Sequence, residues 1–175
     1  RGVLPWYNFF NSPTTWESVD HHTFVDQLIR SGANFVGFHS YDHEPFAAFR
    51  ENGKYHWGGR LLNTRTQTWG TGSVPTDKFM FQTSQLYTDK YFGAATSLTI
   101  SDDNEAIQTE QTIMRDALDY ARYRGVHPCL GFEINGNPLN PADRTIFLKR
   151  LNHVLDQYPS LDYIWIWQPE AVGAS

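Results

Sequence analysis

Cysteine occurs once, at Cys129, so an internal disulfide framework is excluded and the compartment is left unmarked. Long hydrophobic runs are also missing. No stretch approaches the roughly 18 apolar residues that span a bilayer, and no charged start is followed by an apolar signal segment, so a membrane is not an expected partner. Basic clustering is absent as well: 14 Lys and Arg lie scattered among 19 Asp and Glu, for a formal net charge of -5. With no basic stripe to neutralise phosphates, nucleic acid is not expected either. Several catalytic signatures are lacking. There is no GxSxG elbow and no HExxH helix, and Cys129 stands in an apolar run without an activating neighbour. Gly70-Thr71-Gly72-Ser73 has neither the Lys of a phosphate-binding loop nor the rest of a dinucleotide fingerprint. Serine and cysteine hydrolases and nucleotide-binding enzymes are therefore disfavoured, and neither a cofactor nor a metal is expected.

The chain is rich in apolar and aromatic residues. Across 175 residues, 40% are hydrophobic and 15% aromatic, enough for one folded domain with a real core. Val3, Leu4 and Trp6 read as a short strand, followed by loop residues Asn8, Asn11, Ser12 and Pro13. Asp20 is the expected cap of a helix whose stripe is Phe24, Val25, Leu28 and Ile29, with Gly32 as its stop and His21-His22 solvent-exposed in its first turn. Asn34 to His39 is a short apolar run of the kind a covered parallel sheet uses. Residues 42–104 then lack helical periodicity and carry Gly, Thr, Asn and Trp, which predicts an ordered insert with hairpin character.

Helix returns near Glu105. Asp102 and Glu105 have capping-box spacing, Met114, Leu118 and Ala121 form a stripe, and Arg124-Gly125 closes it. A third strand runs from Val126 to Phe132. Asn140-Pro141 starts the next helix, with Phe147, Leu151, Val154, Leu155 and Tyr158 as its stripe and Pro159 as its end. The fourth strand is Asp162 to Trp167, leading into Gln168-Pro169-Glu170. Strands alternating with helices predict an α/β fold with a parallel sheet and a site at the carboxyl ends of its strands.

Polar and aromatic residues gather at those strand ends. Period 2 along the fourth strand puts Ile164, Ile166, Gln168 and Glu170 on one face and Tyr163, Trp165 and Trp167 on the other. If the isoleucines fill a barrel interior, Glu170 looks into its mouth, where partial desolvation raises a carboxyl pKa and keeps a proton for a leaving group. Glu133 holds the matching place after the third strand, as a second catalytic carboxylate, a ligand for a sugar hydroxyl, or a structural hydrogen-bond acceptor. His39, Tyr41, His43 and Glu44 follow the second strand, and their imidazole, phenol and carboxyl groups suit sugar hydroxyls; for His39 a satisfied buried histidine is the competing reading. Trp6 and Asn8 after the first strand, Asn63 and Trp69 in the insert, and Trp167 and Gln168 after the fourth supply further stacking and amide groups. Core packing explains any single Trp equally well.

Arg1-Gly2-Val3-Leu4-Pro5-Trp6, Asn34-Phe35-Val36-Gly37-Phe38-His39-Ser40-Tyr41, Leu62-Asn63-Thr64, Trp69-Gly70 and Tyr163-Ile164-Trp165-Ile166-Trp167-Gln168-Pro169-Glu170 together resemble α-glucuronidase-like (β/α)8 glycoside hydrolases of polysaccharide-degrading bacteria. The resemblance implies that residues 1–175 form a single domain, a (β/α)4 half of a TIM-type barrel with the insert after its second strand. It implies Glu170 as proton donor and, as substrate, a plant or algal polysaccharide or its uronic-acid-bearing oligosaccharides, met in a secreted or periplasmic setting. Such enzymes use eight strands and place the second carboxylate on a later one. Four strands therefore imply a homodimer or the remainder of a longer chain, and a non-catalytic sugar-binding half-barrel is the alternative.

Overall fold

Short apolar strands joined by one-sided helices have a simple solution: the strands pair in parallel and the helices cover one face. The computed structural model describes residues 1–5, 16–40, 44–56, 58, 100–133, 136–137 and 139–167, and the backbone of the strands at 66–69 and 72–75. In chain order the elements are β1 (Gly2–Val3), α1 (Ser18–Arg30), β2 (Phe35–Ser40), β3 (Phe49–Glu51), β4 (Lys54–His56), β5 (Thr66–Trp69), β6 (Gly72–Pro75), α2 (Asp103–Tyr123), β7 (His127–Glu133), α3 (Pro141–Gln157) and β8 (Tyr163–Trp167). The α/β class and the parallel sheet agree with the sequence reading. The four sheet strands lie in the order β1-β2-β7-β8, and all three pairings are parallel.

The helix ends follow local chemistry. Asp102 caps α2 by accepting from the Glu105 backbone N–H at 2.8 Å. Asn140 caps α3 by accepting from Ala142 N–H at 2.9 Å, with Pro141 in the first turn, where its missing N–H is harmless. Gly32 and Gly125, both at φ +77°, take the left-handed turns that follow α1 and α2. The start of α1 is a correction: Glu17, not Asp20, is its N-cap, and the Asp20 carboxylate reaches back to accept from the Glu17 backbone N–H at 3.0 Å. Asp20 thus fills the return position of a capping box.

The three helices among the described residues pack on the same face of the sheet. Val36 and Phe38 of β2 and Leu130 and Phe132 of β7 meet Val25 and Leu28 of α1, Met114, Leu118 and Ala121 of α2, and Val154 of α3 in one buried cluster. Burying a side chain such as Phe38 contributes roughly 1.5–3 kcal/mol. Ile164 of β8 packs against this helix-side cluster, which reverses the expected facing of the fourth strand. Tyr163, Trp165 and Trp167 therefore look away from the helices. Since both sets of side chains are apolar, period 2 separated the two faces without saying which one the helices would cover.

His21, expected in solvent, is also buried, with its ring edge-on to Trp16 and Phe38.

The insert is partly hairpin, as expected. β3 and β4 pair antiparallel across Asn52-Gly53, whose positive φ values of 51° and 80° suit a tight hairpin turn, and β5 pairs with β6. Between β2 and β3, residues 44–48 are buried without belonging to any sheet, so their carbonyls need other donors. Gln111 Nε2 on α2 donates to Pro45 O at 2.8 Å and Ala48 O at 2.7 Å, and Tyr158 Oη donates to Phe46 O at 2.8 Å.

Candidate functional site

The sheet face turned away from the helices carries the polar groups. Register pairs His39 with Gly131 and Gly131 with Trp165, while Glu133 pairs with Trp167, so His39, Glu133, Trp165 and Trp167 share this face at the carboxyl ends of three adjacent strands. In parallel α/β sheets, that end is where sites form, because backbone turns and loops converge there.

Glycines shape this face. A Cβ on Gly2 would meet the Phe35 ring, one on Gly37 would overlap the Leu4 side chain, and one on Gly131 would overlap Trp167 Cζ3 and lie 2.8 Å from Cη2. Large side chains thus lie down across neighbouring strands instead of standing up from them. At the strand ends the result is an indole seated on the sheet: the benzo ring of Trp167 rests on Gly131, and the indole centroid is 3.7 Å from that of His39 at an interplanar angle of 84°. Trp165 adds a second indole, 5.0 Å away and nearly perpendicular.

His39 and Glu133 are both buried. Burial pushes the His39 pKa down to about 4, so the imidazole is neutral near pH 7 and offers one N–H donor and one lone pair. Arg150 of α3 lies over the Phe132 ring, 5.4 Å from its centroid, and its Nη1 donates to the Glu133 carbonyl oxygen at 3.4 Å. It thereby supports the backbone at the end of β7 from the helix side. Among the described residues, the site combines a flat aromatic surface, a neutral imidazole and a carboxyl group, which suits hydrogen-bonding and stacking on a polyhydroxylated ring.

The remaining site candidates divide. Glu44 is fully buried and lies near Glu110 of α2, whose carboxyl is held well above its ordinary pKa first by burial and then by the charges of Glu17 and Glu44. Trp69 ends β5. Trp6, Asn8, Tyr41, His43, Asn63, Gln168 and Glu170 lie outside the described residues. The structure therefore brings together His39, Glu133 and Trp167 from the expected set.

Arg150 and Glu110 were not anticipated, although both sit on apolar stripes at helical spacing: Arg150 three residues after Phe147 and four before Val154, Glu110 four before Met114. Cys129, on the same face as His39, is buried, and burial pushes its thiol up to about 11, which leaves it protonated and a poor nucleophile. No three His, Cys, Asp or Glu side chains among the described residues are grouped to hold a metal ion, and no described helix is long and apolar enough to cross a membrane. No family model, curated protein or solved structure matches the chain.

Proposed function

We propose that this chain is a glycoside hydrolase domain or part of one, acting on plant or algal oligosaccharides, including uronic-acid-bearing ones, without a cofactor. The observation that carries the reading is the meeting of His39, Glu133 and the Trp167 indole at the carboxyl ends of β2, β7 and β8. A sugar ring stacked on the indole presents its hydroxyls to the imidazole and the carboxyl group. Glu170, three residues beyond Trp167, is the general acid on the strength of the family resemblance, not of the β8 period, which groups it with the helix-side Ile164, and Glu133 is the second carboxylate or a hydroxyl ligand.

The fold supports this reading in a coarse way. Among the described residues, each successive sheet strand is added on the same side of the last and the helices lie on one face, which is also the winding of a (β/α)8 barrel. On this reading the chain is a (β/α)4 half, and four more strands come from a second copy or from further chain.

The test is hydrolysis of neutral and uronic-acid glycosides by the purified protein. Glu170→Gln is expected to lower the rate by about 10² to 10⁴ while leaving sugar affinity in place, because only proton donation is lost. An unchanged rate in that variant removes Glu170 as the acid. The alternative is a sugar-binding domain without catalysis, since the Trp167 indole and the His39 imidazole can stack and hydrogen-bond a sugar without a second carboxylate. Sugar-dependent tryptophan fluorescence with no hydrolysis of any glycoside would select it.

A further inference from the structure

The close fit of Trp167 onto β7 assigns a role to a residue with no side chain. We infer that Gly131 is a positioning residue of the sugar site: by leaving no Cβ beneath the indole, it lets Trp167 settle onto β7 with its ring edge-to-face with His39, and so sets the floor on which a sugar ring stacks. This rests on the reading of the strand ends as a carbohydrate site and goes beyond it by naming what holds the stacking surface in place.

Three observations converge on Gly131. A Cβ there would overlap Trp167 Cζ3, lie 2.8 Å from Cη2 and stand 3.2 Å from Trp165 Cβ, so the indole's benzo ring occupies the volume that any other residue would fill. Gly131 is also the register partner of His39, so the strand that the indole covers is the one beside the imidazole it touches. No left-handed φ is recorded at Gly131, unlike at Gly32, Gly53, Gly58, Gly125 and Gly136, so the backbone there makes no demand for glycine. What glycine supplies at this position is space.

The consequence is geometric. An Ala at 131 forces the indole to tilt or lift, which separates it from His39 and roughens the floor. The atoms in the way, Cζ3 and Cη2, belong to the six-membered ring of indole, and a phenyl ring at 167 is too short to reach the same volume. Gly131→Ala is therefore expected to disturb the site in the native background and to be tolerated beside Trp167→Phe.

The experiment compares the native chain, Gly131→Ala, Trp167→Phe and the double variant by two readouts. The first is the NMR position of the His39 ring protons, which the indole at 3.7 Å displaces by its ring current. Gly131→Ala is expected to move these resonances toward the values seen in Trp167→Phe, and to add no further change in the double variant. The second readout is fluorescence titration with xylohexaose, agarohexaose and the uronic-acid oligomer hexagalacturonic acid, where Gly131→Ala is expected to weaken the best of the three on the order of tenfold, the scale of one lost aromatic contact.

If Gly131→Ala leaves the His39 resonances in place, the positioning role is overturned whatever the sugars do. If it moves them and the native chain binds a sugar with affinity that Gly131→Ala leaves unchanged, the indole is not the floor of the site and the inference falls. Should the native chain bind none of the three while the resonances move as expected, the carbohydrate reading is what fails, and the packing of Trp167 on Gly131 stands. Where Gly131→Ala alone does not fold, recovery of folding in the double variant supports the clash, and a double variant that also fails to fold overturns it.

Discussion

His21 shows how one residue can couple this fold to pH. Its imidazole is buried edge-on against Trp16 and Phe38, with Nδ1 lacking a hydrogen-bond partner among the described residues. Burial depresses its pKa from 6.5 to about 3, an effect that outweighs the attraction of Asp116 and is assisted by repulsion from His22. Because the unfolded chain takes up this proton first, stability is full above about pH 6.5 and falls as the pH drops toward 3, with a slope of at most about 1.4 kcal/mol per pH unit from this group. His39 and His153, also depressed by burial, act in the same direction, whereas Glu110, whose pKa is raised, acts in the opposite one. The readout is therefore a difference: urea midpoints followed from pH 7 to pH 4 should fall less steeply for His21→Leu than for the native chain. Parallel slopes would mean that the buried imidazole is not the coupled group.

At the scale of elements, the segment before β3 depends on donors from α2 and from the end of α3. Gln111 holds Pro45 O and Ala48 O, and Tyr158 holds Phe46 O, across more than 60 residues of sequence in each case. Gly58, at φ +140°, closes against the same segment, where a Cβ would overlap Glu44 O and lie 2.8 Å from Ala48 Cβ. Gln111→Leu should cost about 1–3 kcal/mol for each buried carbonyl it strands, and Tyr158→Phe about 1 kcal/mol, both read as lowered denaturation midpoints with unchanged cooperativity. A Gln111→Leu protein as stable as the native one would show that water or another donor replaces the amide. These brackets were only half legible in the sequence. Gln111 lies three residues before Met114, on the apolar stripe of α2, so its burial follows from extending the period, but its carbonyl partners depend on where the insert returns.

At the scale of the whole molecule, the sheet's outer strands set the question. β1 and β8 are its edges among the described residues, and Tyr163 and Trp165 are 54% and 41% exposed on the face without helices. Under the half-barrel proposal, a second copy covers that face and pairs with those edges, since unpaired strand edges and exposed aromatic surface both favour association. Light scattering at micromolar concentration should then give twice the 20.2 kDa mass of this chain. A monomeric mass with cooperative melting would rule out the second copy.

The alternation of apolar runs and striped helices was enough to determine the α/β class, the parallel pairing, the caps of α2 and α3 and the location of His39, Glu133 and Trp167 at strand ends, because each depends on chain-local period and hydrogen-bonding chemistry. Tertiary structure decided the rest. Which face of β8 meets the helices is a matter of layer packing, and Tyr163-Ile164-Trp165-Ile166-Trp167 is apolar on both sides, so its alternation carries no sign. The seat of Trp167 on Gly131, the neutral burial of His21 and the approach of Glu17 and Glu44 to Glu110 each join residues distant in sequence, and only the packed layers bring them within reach.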